Sequence, residues 1–270
     1  IELHKLFGGV VPEIASRKHI EKYYNTEQVG KFPERLKPIS KRPQLTDLKD
    51  AINYNEIYEQ LMLLGLEIYT PSAYIFPSKI AKYESLTHNK GTSLTQRGRE
   101  EGIRRLMSVN LLKRLESSVY SFNLTLGRIK ELIEKTIEAI DQFEKYGHAD
   151  VDMYEANDTS DWDIDDQNTD FFSVGKKVKI DLADMDYVSW RNSLSKDNEV
   201  LELLTLMVGD ITPRYDSKLQ ELFGVLTDKV ENPINDGNKK VIVFTAFADT
   251  AEYLYANVSE FMLEKFGLHT

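Results

Sequence analysis

The chain has 270 residues, 41% of them hydrophobic, which allows one to three domains and a substantial core. Its net charge of −10 argues against a dedicated nucleic-acid module, although a total can hide a local basic groove. With no cysteine, disulfides, thiolate zinc sites and a cysteine nucleophile are excluded and a reducing, cytoplasmic setting is expected; no run reaches the ~18 apolar residues of a membrane helix, so no membrane partner is expected either.

A chain that opens Ile1-Glu2-Leu3-His4 reads as cut from something longer. Residues 1–24 have a helical pattern ending in the basic-aromatic run Arg17-Lys18-His19-Ile20-Glu21-Lys22-Tyr23-Tyr24. Pro33, Pro38 and Pro43, set among lysines and arginines, predict an extended, exposed segment, because proline donates no backbone hydrogen bond. Thr46 or Asp47 is suited to cap a helix running to Leu64, with Gly65 as its stop. The aromatic, proline-broken stretch 66–86 predicts a short helix pair packed on a neighbour.

The strongest periodicity runs from Thr95 to Tyr146. Ile103, Leu106, Met107, Leu111, Leu112 and Leu115 form one stripe; Val119, Phe122, Leu126, Ile129, Ile133, Ile137, Ile140 and Phe143 continue it in steps of three and four. This predicts one long amphipathic helix or two in tandem, broken and recapped at Ser117-Ser118, with a partner for the stripe drawn from 180–230. From 147 to 170 aspartates accumulate without any Lys or Arg, which predicts a flexible acidic linker or loop. Helices are expected over 181–195 and 197–209 and from Thr212-Pro213 onward, then a turn-rich loop over 232–238. Lys239 to Phe247 reads as a buried parallel strand, with Asp249 or Thr250 capping a helix behind it. A lone strand cannot bury its edges, so a sheet is expected to continue beyond Thr270.

No catalytic set converges. The phosphate-loop pattern G-x-x-x-x-G-K-[ST] is absent, and so are an Asp-Glu-x-His box, a HExxH helix, an EF-hand loop and a G-x-S-x-G elbow. Neither a catalytic residue nor a metal ligand is assigned. Gln96-Arg97-Gly98-Arg99 with Arg104-Arg105 looks like an arginine-finger element but precedes the strand it ought to follow, so it reads as an exposed loop and basic helix start. Lys113-Arg114 beside Ser117-Ser118 is either a phosphate-holding helix start or a charged helix edge with a serine cap.

The order of segments resembles the remodeller-type (switch/sucrose-nonfermenting-like) branch of superfamily two DNA helicases and translocases, its bacterial members in particular. Arg17-Lys18-His19-Ile20 followed by Lys31-Phe32-Pro33-Glu34-Arg35 resembles the end of the first RecA-like lobe and its exit strand. Leu111-Leu112-Lys113-Arg114-Leu115-Glu116-Ser117-Ser118 resembles a helix carried between the lobes. Tyr215 to Leu222, then Val241 to Leu254, resemble the helix and first strand that open the second lobe.

The resemblance implies an interior fragment of an ATP-dependent motor, with ATP and Mg²⁺ belonging to the intact parent and the fragment alone inactive. It implies backbone contact with DNA, sequence-blind as phosphate contacts are, through Arg17, Lys18, Lys113, Arg114, Ser117, Ser118 and Thr245. Thr245 also reads simply as a threonine ending a buried strand. The other partners implied are the parent's remaining RecA-like lobes.

The fold expected is mainly α, a bundle or protruding hairpin of long amphipathic helices plus an incomplete RecA-like strand–helix unit. Its segments are the first-lobe tail (1–45), helical inter-lobe region (46–146), acidic linker (147–180), helical return (181–232) and second-lobe start (233–270). The competing reading is an autonomous helical interaction module, without catalysis, whose 103–143 stripe docks another protein.

Overall fold

A computed structural model describes residues 37–48, 52–87, 96–147 and 180–270. Arg17, Lys18, the helix expected over 1–24, the 30–36 part of the exit segment and the acidic run lie outside the described residues. The described chain is mainly α, as expected. Its seven α-helices are α1 (Tyr54–Leu61), α2 (Ile80–Thr87), α3 (Gln96–Ser117), α4 (Val119–Tyr146), α5 (Tyr187–Gly209), α6 (Ser217–Glu231) and α7 (Ala248–Phe266). Among the described residues there is no strand, only two isolated antiparallel bridges, Thr46–Asp216 and Ile75–Met185. No described helix is long and apolar enough to cross a membrane.

Contacts divide the chain into two compact units. The smaller includes, of the described residues, 37–41 and 228–240. Its loop turns at Gly237, in the left-handed region at φ 70°, and is tied by the Asn238 amide donating to the Asn235 carbonyl at 3.0 Å. Everything below concerns the larger unit.

Helix α1 starts later than the Thr46/Asp47 cap predicted. Asn53 is the cap: its side chain accepts from the Asn55 and Glu56 amides at 2.9 and 3.1 Å, and the Glu56 carboxylate accepts from the Asn53 amide at 2.8 Å. This reciprocal box satisfies donors that a helix start otherwise leaves open. Thr46 is used instead in the bridge to Asp216.

The segment after α1 is two 3-10 turns, Glu67–Tyr69 and Pro71–Tyr74, wedged against α3 and α5. Asp197 of α5 organises its entry. The carboxylate accepts from the Gly65 and Glu67 amides, both at 2.7 Å, around Leu66, which is buried in the left-handed conformation at φ 54°. A Cβ on Gly65 would sit 3.2 Å from the same carboxylate, so the close approach favours glycine. Trp190 Nε1 donates to the Glu67 carbonyl at 3.0 Å, fixing the turn from the other side.

The predicted stripe is the core. Met107, Leu111 and Leu115 of α3 and Phe122, Leu126, Ile129, Ile133 and Ile140 of α4 are buried, and α5 packs along α4 with Trp190, Leu194, Leu201 and Leu204. The break falls at Ser118, which caps α4; Gly147, at φ 69°, ends it with its amide on the Phe143 carbonyl at 2.8 Å.

Two boundaries differ from expectation. Helix α5 is continuous from Tyr187 to Gly209 rather than split near 196, because Asp197 caps the 65–67 turn and not its own helix. Helix α6 begins at Ser217, not at Thr212-Pro213, because Asp216 supplies the cap, accepting from the Lys218 and Leu219 amides at 3.0 and 3.1 Å.

The strand predicted over 239–247 is the largest departure. These residues are irregular and bridge to no described residue; Ile242 is 77% and Phe244 88% exposed, so 239–246 are not buried here and only Phe247 is. No described strand lies beside it to cover it. Helix α7 follows as expected, but Phe247 is its N-cap and no side chain caps it; Asp249 and Thr250 reach sideways to α3 and α4 instead.

Candidate functional site at the α3–α4 junction

Helix α3 stops at Ser117 and α4 starts one residue later. The Ser118 amide still donates to the Arg114 carbonyl at 2.9 Å, while its hydroxyl turns forward to accept from the Ser121 amide at 3.0 Å. The junction thus sets two adjacent hydroxyls on a rigid corner, Ser117 half-buried and Ser118 buried.

The first turn of α7 docks on that corner. Thr250 Oγ1 lies 2.9 Å from Ser117 Oγ and 3.1 Å from Ser118 Oγ, and Thr245 Oγ1 lies 3.3 Å from Ser117 Oγ. Ser117, Ser118 and Thr245, three of the residues singled out from sequence, therefore meet although Thr245 is 128 positions from Ser117.

Beneath the hydroxyls is an ion cluster. Arg114 Nη1 donates to Asp249 Oδ2 at 2.7 Å and to Ser121 Oγ at 3.1 Å; Arg128 donates to both Asp249 oxygens, Nη1 to Oδ2 at 3.0 Å and Nη2 to Oδ1 at 3.2 Å. The Arg114 guanidinium also lies over the buried Phe247 ring, 4.6 Å from its centroid. Burial works to raise the Asp249 carboxyl, but the hydrogen bonds and charges of Arg128 and Arg114 outweigh it and hold the group below its ordinary value. Asp249 also stands in the first turn of α7, where the helix dipole favours a negative charge.

Lys113 and Arg114 part company at this point. Lys113 is exposed, whereas Arg114 has 0% side-chain exposure and is committed to Asp249. Arg114, expected as a phosphate ligand, is in this arrangement the buried partner of a carboxylate, not a surface contact. Neighbours on a helix point about 100° apart, so one cation of a pair turns inward while the other stays in solvent. Arg17 and Lys18 lie outside the described residues.

Arg128, Asp249, Thr250 and Ser121 belong to the cluster and were not expected there from sequence, Asp249 and Thr250 being read only as helix caps. Arg128 carried a signal, being the single cation between Val119 and Ile129 on an otherwise apolar helix start. Its partner, 121 residues away, carried none.

Chemically the corner is a scaffold. Among the described residues, hydroxyls gather without a histidine beside them, and no group of three or more His, Cys, Asp or Glu is placed to hold a metal. What it offers outward is the rim of Lys113, Ser117 and Thr245, held in place by the Arg114–Asp249–Arg128 clamp. No protein-family model, curated protein or solved structure matches the chain.

Proposed function

We propose that the chain is an interior part of an ATP-dependent DNA motor of the remodeller-type superfamily two branch, supplying helical elements between two RecA-like lobes and part of the surface that tracks the DNA backbone. The observation that carries this reading is the run Val241-Ile242-Val243-Phe244, four apolar side chains each at least 44% exposed, immediately ahead of a helix clamped onto the α3–α4 corner. Contiguous apolar surface of this kind marks a contact to be made. In the proposed reading these residues are the first strand of the second lobe, covered by neighbouring strands of the parent protein.

On this reading the rim of Lys113, Ser117 and Thr245 faces the sugar–phosphate backbone, and Arg114 acts through Asp249 by positioning the first turn of α7. Hydroxyls and a lysine suit phosphates of any sequence. The residues present do not fit ATP–Mg²⁺: neither the phosphate-loop pattern nor an Asp-Glu-x-His box occurs. No hydrolysis step is assigned to this chain.

The alternative of a helical docking module loses its proposed face, because Phe122, Leu126, Ile129 and Ile133 are covered within the chain by α5 and α3. The test of the motor reading is ATP hydrolysis by the whole encoded protein with and without duplex DNA. Stimulation by the duplex supports it; an encoded protein without DNA-stimulated hydrolysis contradicts it.

A further inference from the structure

Next to the corner, between α4, the end of α5 and α7, lies a hollow of about 500 Å³. This is within the size range of small-ligand sites. Its apolar floor includes Val119, Val208 and Ala256. Tyr120 and Tyr253 form one wall, stacked with centroids 4.9 Å apart and planes 10° from parallel; Tyr120 is 45% exposed.

The polar side chains of the hollow can offer acceptors to a ligand. Glu252 lines it as an exposed carboxylate with no hydrogen bond or ion pair among the described residues. Asn257 spends its Nδ2 on the Tyr253 carbonyl at 2.7 Å, which leaves its Oδ1 as an acceptor. Asn123 has a buried Oδ1 with no hydrogen-bond partner among the described residues. The soft terminal torsion of asparagine can therefore turn the oxygen outward at little cost when a donor enters. Among the described residues no Lys, Arg or His lines the hollow, and the chain as a whole carries −10.

From this geometry we infer that the hollow binds a guanidinium group, borne either by a small molecule or by an arginine side chain of a partner protein. A planar cation with five N–H donors matches acceptors spread over two helices, and its flat face stacks on tyrosine. An ammonium is a compact donor and serves such a spread less well. An anion would meet Glu252 with no cation to offset it.

The test is a titration followed by side-chain and backbone NMR, using agmatine as the small guanidinium and a blocked Gly-Arg-Gly peptide as the protein-borne one. N-carbamoylputrescine, which keeps the shape and the ammonium of agmatine but carries a neutral urea in place of the guanidinium, is the control. Saturable shifts at Asn123, Gly209 and Asn257 are expected with a guanidinium. Affinity should fall at least about tenfold for the urea control and for Glu252→Gln. A second variant at a half-exposed position, Tyr120→Leu, should weaken binding likewise. Agmatine binding tighter than the peptide assigns a small-molecule ligand; the reverse assigns a protein partner. Absence of saturable binding by both guanidinium probes, or affinity unchanged in Glu252→Gln, overturns the inference.

Discussion

Arg114 and Asp249 meet 2.7 Å apart across the α3–α4 corner, and the arginine side chain is wholly enclosed. Removing Arg114 empties a wholly buried site and leaves Asp249 to the more exposed Arg128. Arg114→Ala is expected to destabilise the fold by about 3–5 kcal/mol. Arg128→Ala, at a side chain 32% exposed, is expected to cost on the order of 1 kcal/mol. Urea unfolding of both variants, and of each combined with Asp249→Ala, measures this. Equal small losses for the two arginines would show that Arg114 is not the anchoring member.

Asp197 holds the 65–67 turn from a distance of 130 residues in sequence. Asp197→Ala leaves the Gly65 and Glu67 amides without their acceptor and the left-handed Leu66 without its clamp. A loss of about 1–3 kcal/mol is expected. Asp197→Asn keeps one oxygen acceptor and should lose less. Thermal unfolding of the two variants checks the order.

The acid response is set in part by Asp184. Lys82 Nζ reaches it at 2.5 Å, Lys79 Nζ at 2.9 Å and Tyr83 Oη at 2.8 Å, and these hydrogen bonds, that of Lys82 first, hold its carboxyl well below the ordinary range. A depressed carboxyl stabilises the fold above its unfolded-state value of about 4 and loses that contribution as pH falls toward the folded-state value. The stability advantage of the native chain over Asp184→Asn should therefore be constant from neutral pH to about 5 and shrink below about 4. Urea midpoints at several pH values test it; an advantage that grows on acidification would contradict the sign.

Much of the helical frame was legible because it rests on local rules. The stripe from Ile103 to Phe143 keeps helical spacing, and Ser117-Ser118 interrupts it with residues that cap helices. The features that escaped are tertiary. Asp197 has the chemistry of a cap and is one, but for a turn elsewhere in the chain. Asp249 and Thr250 also suit a cap and are spent instead on Arg114, Arg128, Ser117 and Ser118. At the candidate site, the hydroxyls were recognisable by type, whereas the burial of Arg114 beside exposed Lys113 depends on which face of α3 meets α7.

If the rim of the corner tracks DNA, its charge is measurable. Lys113→Glu is expected to weaken binding to duplexes of unrelated sequence to a similar degree. It should lower the dependence of log K on log salt by about 1. Thr245→Val should weaken binding without changing that slope. Fluorescence anisotropy at a series of salt concentrations reads both; identical curves for the native chain and Lys113→Glu would remove Lys113 from the DNA path.

The most direct measurement of the motor account is amide hydrogen exchange at 241–244. In the 270-residue chain these residues bridge to no described residue, so their amides should exchange fast. In the whole encoded protein, where the account makes them a central strand, exchange should slow by several orders of magnitude. Equally fast exchange in both would mean that no strand forms there, and the proposed second lobe would be lost with it.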